Sequence, residues 1–279
     1  MHSKEYFYSL LFSGVPLSSL DHQPFIIGGH DAPEAYAPYM VALIVGGRVK
    51  THWCGGSIIR EELVLTAAHC VEPFILDDET LLETFHARVG SNQWNSGGTK
   101  VNFKNYHMHP EWDAENIKND IAVLLTSEEL VLSDTVGIIG LSFDVVEENE
   151  DCLVTGWGRT GPRFEDNVVH LQPTPDDLQA LYMRTLNYKL CQKQMQEVSA
   201  GHAPDVDEEI EICTFHSYGH GMCNGDSGSA LVQLSSGKLI GVVSWGYSCA
   251  HGAPDIYVRT SGYGIRKFLE YFLNFYKTG

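Results

Sequence analysis

From Ile26 onward the chain is a succession of short apolar or alternating runs, each closed by Gly, Pro, Asn or Asp. Tyr39–Val45, Gly56–Ile59, Leu63–Ala67, His86–Val89, Ile121–Leu125, Cys152–Thr155, Ala230–Leu234 and Leu239–Ser244 read as strands. That rhythm predicts an all-β sandwich or barrel. One segment breaks it near the end, where Ile265, Phe268, Leu269, Phe272, Leu273 and Tyr276 recur at helical spacing with Arg266, Lys267 and Glu270 between them. It predicts a packed C-terminal helix. Glu72 to Glu83, Thr160 to Asp177 and the acidic run Asp205 to Glu211 read as solvated surface segments without a catalytic role.

The first stretch has a different character. Lys4 gives a basic start, Tyr6 to Leu11 with Phe12 a short apolar core, and small residues follow, so residues 1–25 read as a signal and propeptide preceding one domain over 26–279. No later apolar run approaches the roughly 18 residues needed to cross a bilayer, so no membrane association is expected.

Composition narrows the function. The 279 residues carry 36 Asp and Glu against 18 Lys and Arg, a formal charge of −18, which argues against nucleic acid and anionic membrane surfaces. The charge fits attraction of cationic protein substrates, or simply an acidic secreted protein. Seven cysteines without a CxxC pair, and no HExxH, leave no zinc pattern and favour disulfides in an oxidising compartment. Ser91-Asn92-Gln93-Trp94-Asn95 lacks the paired carboxylates of a calcium loop, so neither metal nor cofactor is expected.

Three motifs carry chemistry, in the order Ala67-Ala68-His69-Cys70, Asn119-Asp120-Ile121-Ala122 and Gly225-Asp226-Ser227-Gly228. Amide hydrolysis needs a nucleophile, a base and donors for the developing oxyanion. Ser227 is the candidate nucleophile, His69 the general base and then acid, and Asp120 the group that orients the imidazole. The glycines at 225 and 228 permit a tight turn that points the N–H groups of Gly225 and Ser227 inward as an oxyanion hole.

With these motifs, and with Ile26-Ile27-Gly28-Gly29, Trp53-Cys54-Gly55-Gly56-Ser57, Gly156-Trp157-Gly158 and Ser244-Trp245-Gly246, the chain resembles the chymotrypsin-like (trypsin-like) serine proteases over Ile26 to Tyr276. The resemblance implies two six-stranded antiparallel β-barrels, a C-terminal helix and a cleft holding the triad. It also implies disulfides Cys54–Cys70, Cys191–Cys213 and Cys223–Cys249, a connectivity that spacing alone leaves open. Cys152 is then left over, as a buried free thiol or an intermolecular bridge. Ser229 and Ala230 stand where the family usually has Gly and Pro, a departure small enough for local adjustment.

The resemblance also implies a switch and a pocket. Cleavage before Ile26 would free an ammonium to pair with Asp226, although Pro24-Phe25 replaces the basic residue that precedes most such cuts. The pocket would be formed by Gly221, Met222, Ser244, Trp245, Gly246 and Asp255. Gly221 at its base and Asp255 on the opposite wall look like the arrangement of arthropod collagenolytic and chymotrypsin-like proteases, which implies preference for large apolar residues with some acceptance of Arg or Lys. The expectation is a secreted, monomeric digestive endopeptidase acting on protein and peptide substrates, with protein protease inhibitors as candidate partners. A non-catalytic homologue acting as a binding module and a regulatory cascade protease are the alternatives; the first usually lacks a triad member, the second usually carries an N-terminal regulatory domain.

Overall fold

A computed structural model describes residues 27–159, 162–165, 168–171, 173–247 and 249–276. Residues 1–26, which include the signal and propeptide segment and Ile26, lie outside the described residues. The first half holds β1 (His30–Asp31), β2 (Met40–Val45), β3 (Thr51–Arg60), β4 (Leu63–Thr66), β5 (Phe85–Val89), β6 (Thr99–Val101), β7 (Phe103–Met108) and β8 (Ala122–Thr126). The second holds β9 (Asp151–Gly156), the hairpin β10 (Pro162–Glu165) and β11 (Val168–Leu171), then β12 (Gln179–Leu186), β13 (Glu211–Phe215), β14 (Ala230–Gln233), β15 (Lys238–Gly246) and β16 (Asp255–Arg259). Two α-helices, α1 (Tyr188–Val198) and α2 (Tyr263–Phe275), complete it.

The strands sort into two large antiparallel sheets. The N-terminal sheet runs β6-β5-β2-β3-β4-β8-β7 and curls into a half-barrel. The C-terminal sheet runs β1-β12-β13-β16-β15-β14-β9, and an extra pairing of β12 with β9 closes six of these strands into a barrel. The expected chymotrypsin-like all-β architecture is therefore present. β4 (LVLT) and β8 (AVLLT) are buried along their whole length, which is why they read as continuous apolar runs rather than as alternation.

The eight predicted strands correspond to β2, β3, β4, β5, β8, β9, β14 and β15, whereas β1, β6, β7, β10, β11, β12, β13 and β16 were not expected. β12 alternates buried and exposed positions only at Leu181–Thr185, and β13 begins inside the acidic run. That run needs correcting: Glu211 is 4% exposed, not solvated. α1 was also unforeseen, since it buries only Cys191 and Met195, one turn apart. Its available signal was Asn187, whose side chain accepts from the N–H groups of Lys189 and Leu190 as an N-cap.

Three disulfides join Cys54 to Cys70, Cys191 to Cys213 and Cys223 to Cys249, the connectivity that the resemblance implied. Cys152 is a buried free thiol inside the C-terminal barrel, and burial pushes its pKa up to about 12. α2 belongs to the C-terminal half yet packs on β7 of the N-terminal sheet: Phe272 sits 5.0 Å from the His107 ring and Phe268 5.3 Å from that of His109. The helix thereby straps the halves together, burying Ile265, Leu269 and Phe272. No described helix is long and apolar enough to cross a membrane.

Removing the ring that anchors this strap should be costly. Phe272→Ala is expected to destabilise the fold by about 3–5 kcal/mol, measured as a lower midpoint in denaturant with an unchanged slope.

Candidate active site

His69 and Asp120 come together at the junction of the two sheets. His69 lies in a one-turn 3-10 helix over Ala68–Cys70 that follows β4, and Asp120 stands two residues before β8, the neighbour of β4. Asp120 is fully buried, and both its oxygens are engaged. Oδ1 accepts the backbone N–H of His69 at 2.9 Å, while Oδ2 lies 2.7 Å from His69 Nδ1 and accepts the Ser244 hydroxyl at 2.6 Å. A carboxylate so placed requires the proton on Nδ1 and leaves Nε2 as the basic atom. Burial pulls the His69 pKa down, but the hydrogen bond and charge of Asp120, helped by Glu72, more than offset this, and the net direction is upward.

Ser227 reaches the junction through backbone contacts. Its carbonyl accepts the N–H of Gly55 on β3 at 2.8 Å, and Gly228 donates to Val243 on β15 at 2.8 Å. Gly228 adopts φ +82 against Thr66 and Ala67, so a side chain there would strike Thr66 Oγ1 at 2.2 Å. The serine turn is thus wedged onto the segment that carries His69. Nε2 of His69 has Cys70 Sγ at 3.7 Å, and no hydrogen bond of 3.5 Å or less joins it to Ser227 among the described residues. Such contacts commonly tighten only when substrate is bound.

The turn itself is built to point donors inward. Gly225 takes φ +104, Asp226 donates to Cys223 O at 3.0 Å and Ser229 to Asp226 O at 3.1 Å. Among the described residues, the N–H groups of Gly225 and Ser227 donate to no protein acceptor. Ser229 is buried, and its Oγ fills the space that a side chain on Gly55 would occupy, 2.1 Å away. Behind the turn lies a residue that sequence reasoning missed, His52. It is buried between Trp94 and Trp157, ring centroids 5.9 and 5.6 Å away, and burial drives its pKa down to about 3. Nothing in Thr51-His52-Trp53 signals this, because the environment comes from distant segments.

Asp226 points away from Ser227 into a closed compartment. Oδ1 accepts the Gly158 N–H at 2.7 Å and Oδ2 the Cys223 N–H at 3.0 Å. Burial raises its pKa to about 7, against the pull of those two donors. Ile26 lies outside the described residues; its neighbour Ile27 pairs with Gly221, whose N–H donates to Ile27 O at 3.1 Å.

Asp255 stands between Gly221 and Gly246. A side chain on Gly221 would meet its Oδ2 at 2.9 Å, and one on Gly246 its Oδ1 at 3.4 Å. It is 7% exposed, accepts the Met222 N–H at 3.1 Å, and has a pKa raised to about 8 by burial, against the pull of that bond, and by the charge of Asp226. The Met222 side chain packs into the C-terminal barrel core with Cys152 and Tyr257, so this residue meets the pocket through its backbone. Trp245 is half-buried and donates Nε1 to Glu211 at 2.9 Å. Cys54, His69 and Cys70 are the only group of potential metal ligands among the described residues, and their two sulfurs are joined to each other.

A half-buried His paired with a fully buried Asp where a half-barrel meets a closed barrel, with a glycine-flanked serine turn wedged against it, defines a chymotrypsin-like architecture. The family model described as Trypsin matches residues 26–264, and the chain belongs to the trypsin family of serine endopeptidases. It is 34% identical over 239 residues to Trypsin 5G1 of Aedes aegypti, covering 85% of this chain and 81% of that protein. Hypodermin-A and hypodermin-B of Hypoderma lineatum are 30% and 32% identical over 249 and 237 residues, covering 88% and 85% of this chain and 88% and 83% of those proteins. Membership of this family implies protein substrates.

The His69 environment has a direct readout. Its imidazole should titrate above the ordinary value of about 6.5 by NMR, and Asp120→Asn should bring the titration below that of the native protein, because burial would then act without the offsetting charge.

Proposed function

We propose that the chain is a secreted digestive endopeptidase, made as a zymogen and active as a monomer, with mixed primary specificity. The observation that carries this reading is the His69–Asp120 pair at 2.7 Å beside a turn with two unused N–H donors. In the proposed reaction, Ser227 Oγ attacks the scissile carbonyl and His69 Nε2 takes its proton. The oxyanion accepts from Gly225 and Ser227 N–H, and the amine leaves with the proton carried by His69. Water repeats the sequence on the acyl-enzyme, its proton passing through Nε2 to Ser227. Asp120 keeps the imidazole in the required tautomer and stabilises its cation.

Activation follows from the state of Asp226. A carboxylate enclosed without a cation favours the protonated form, as its raised pKa of about 7 reflects. Cleavage between Phe25 and Ile26 would supply an ammonium for it and fix the turn that carries Ser227. The Phe at the cut calls for a chymotrypsin-like activator or self-cleavage rather than a trypsin-like one. Three disulfides fit an oxidising, extracellular setting, and protein protease inhibitors are the natural regulators of such an enzyme.

Specificity rests on Asp255. With a pKa near 8 it is largely neutral in an empty pocket at pH 7, and Gly221 and Gly246 leave room for a large apolar side chain. An arriving guanidinium would draw it into the charged form.

Labelling of Ser227 by an active-site phosphonate should be weak in the full chain and at least tenfold faster after processing before Ile26; equal labelling in both would refute zymogen control. Phe and Leu substrates should be cut across pH 7–9, whereas the Arg-to-Phe ratio of kcat/KM should rise over that range as Asp255 ionises. Asp255→Gly should remove most Arg cleavage, by roughly 30-fold or more, the equivalent of about 2 kcal/mol. Strict selectivity for Arg and Lys would overturn the mixed reading.

A further inference from the structure

Glu211 is the first residue of β13, and its side chain is 3% exposed. A carboxylate so deep must be fully partnered, and this one has three donors drawn from three separate segments. Oε1 accepts the indole N–H of Trp245 on β15 at 2.9 Å. Oε2 accepts Lys118 Nζ at 2.8 Å and the backbone N–H of Asp207 at 2.6 Å. Lys118 Nζ also donates to Asp205 O and lies 5.5 Å from the centroid of the Trp245 ring. Carboxylate, ammonium and indole form one neutral cluster.

The partners of Glu211 flank the Asp120–Ser244 contact. Lys118 is two residues before Asp120, and Trp245 follows Ser244 directly. The Lys118 segment is held in an unusual shape: Ile117 and Asn119 both take φ +54, and Lys118 exchanges two 3.0 Å backbone hydrogen bonds with Asp113. Two backbone excursions of this kind do not persist without support from outside. Glu211 provides it from the C-terminal barrel, so the loop of one barrel and the strand of the other are pinned twice, through Ser244 to Asp120 and through Glu211 to Lys118.

We propose that Glu211 is a positioning residue that fixes Asp120 and the Trp245 wall of the substrate groove relative to each other through Lys118. The inference rests on the reading of His69, Asp120 and Ser227 as the triad and of Ser244 to Gly246 as groove wall. Glu211 touches neither substrate nor the reacting atoms; it acts on where a substrate segment lies against Trp245 and on how firmly Asp120 holds the imidazole. A role of that kind differs from simple stabilisation, because substrates long enough to reach Trp245 lose more than substrates that do not.

The test uses the full chain processed before Ile26. Native protein, Glu211→Leu, Glu211→Gln, Lys118→Met and Lys118→Arg are compared on an extended peptide and on a single-residue ester, with the acid limb of kcat/KM and phosphonate labelling recorded for each. Glu211→Leu should raise KM for the extended peptide about tenfold while changing that for the ester less than about twofold. The acid limb should move to lower pH as Asp120 loosens. Lys118→Met should reproduce both changes and Lys118→Arg should restore native values. If Glu211→Leu does not fold, Glu211→Gln and Lys118→Met carry the same comparison. Native kinetics in the variants, or equal losses on both substrates with an unmoved acid limb, would overturn the proposal. Native protein that is neither labelled nor active after processing would instead sink the triad reading, and this inference with it.

Discussion

A carboxylate buried where two β-sheets meet is tolerable only if every oxygen is engaged, and Asp120 is the point at which this chain meets that demand. His69 supplies two of its partners from the N-terminal sheet and Ser244 the third from the C-terminal barrel. Misplacing either sheet would therefore strand a charge, so the interaction that orients the imidazole also fixes how the halves meet. The α2 strap and the Gly55–Ser227 hydrogen bond hold the same junction from other directions.

A second buried carboxylate sets different terms. Asp226 has backbone donors but no cation among the described residues, and it is packed so closely that a side chain on Gly158 would fall 2.0 Å from Oδ2. The Ser227 turn lies one residue away, which is why the proposed activation routes through that carboxylate. Asp120 has three side-chain and backbone partners and Asp226 only two backbone donors among the described residues, and the proposed division between constant orientation and conditional activity rests on that contrast.

The His69–Asp120 pair, the serine turn beside it and the all-β class were legible because they sit in contiguous motifs whose signals are local. TAAHC, NDIA and GDSG each carry their own turn and strand signals, and the fully buried β4 and β8 read directly as apolar runs. What escaped was decided between segments distant in sequence. His52 is an unremarkable polar residue on a strand until Trp94 and Trp157 enclose it. Glu211 looked like one more member of an acidic run, and only its pairing with Lys118, 93 residues away, makes it part of the interior. β12, β13 and β16 form the far wall of the closed barrel, where burial comes from ring closure rather than from a pattern within each strand.

The sealed thiol of Cys152 bears on how the chain reaches this state at all. Six thiols can join in fifteen ways, and a seventh raises the alternatives to the order of a hundred. Cys152 is the second residue of β9, paired on both sides by β12 and β14, with its pKa raised to about 12 by burial. Once those three strands assemble, that sulfur is out of reach and almost wholly in the unreactive form. In the closed barrel the odd cysteine is thus withdrawn from thiol–disulfide exchange with the six that are paired.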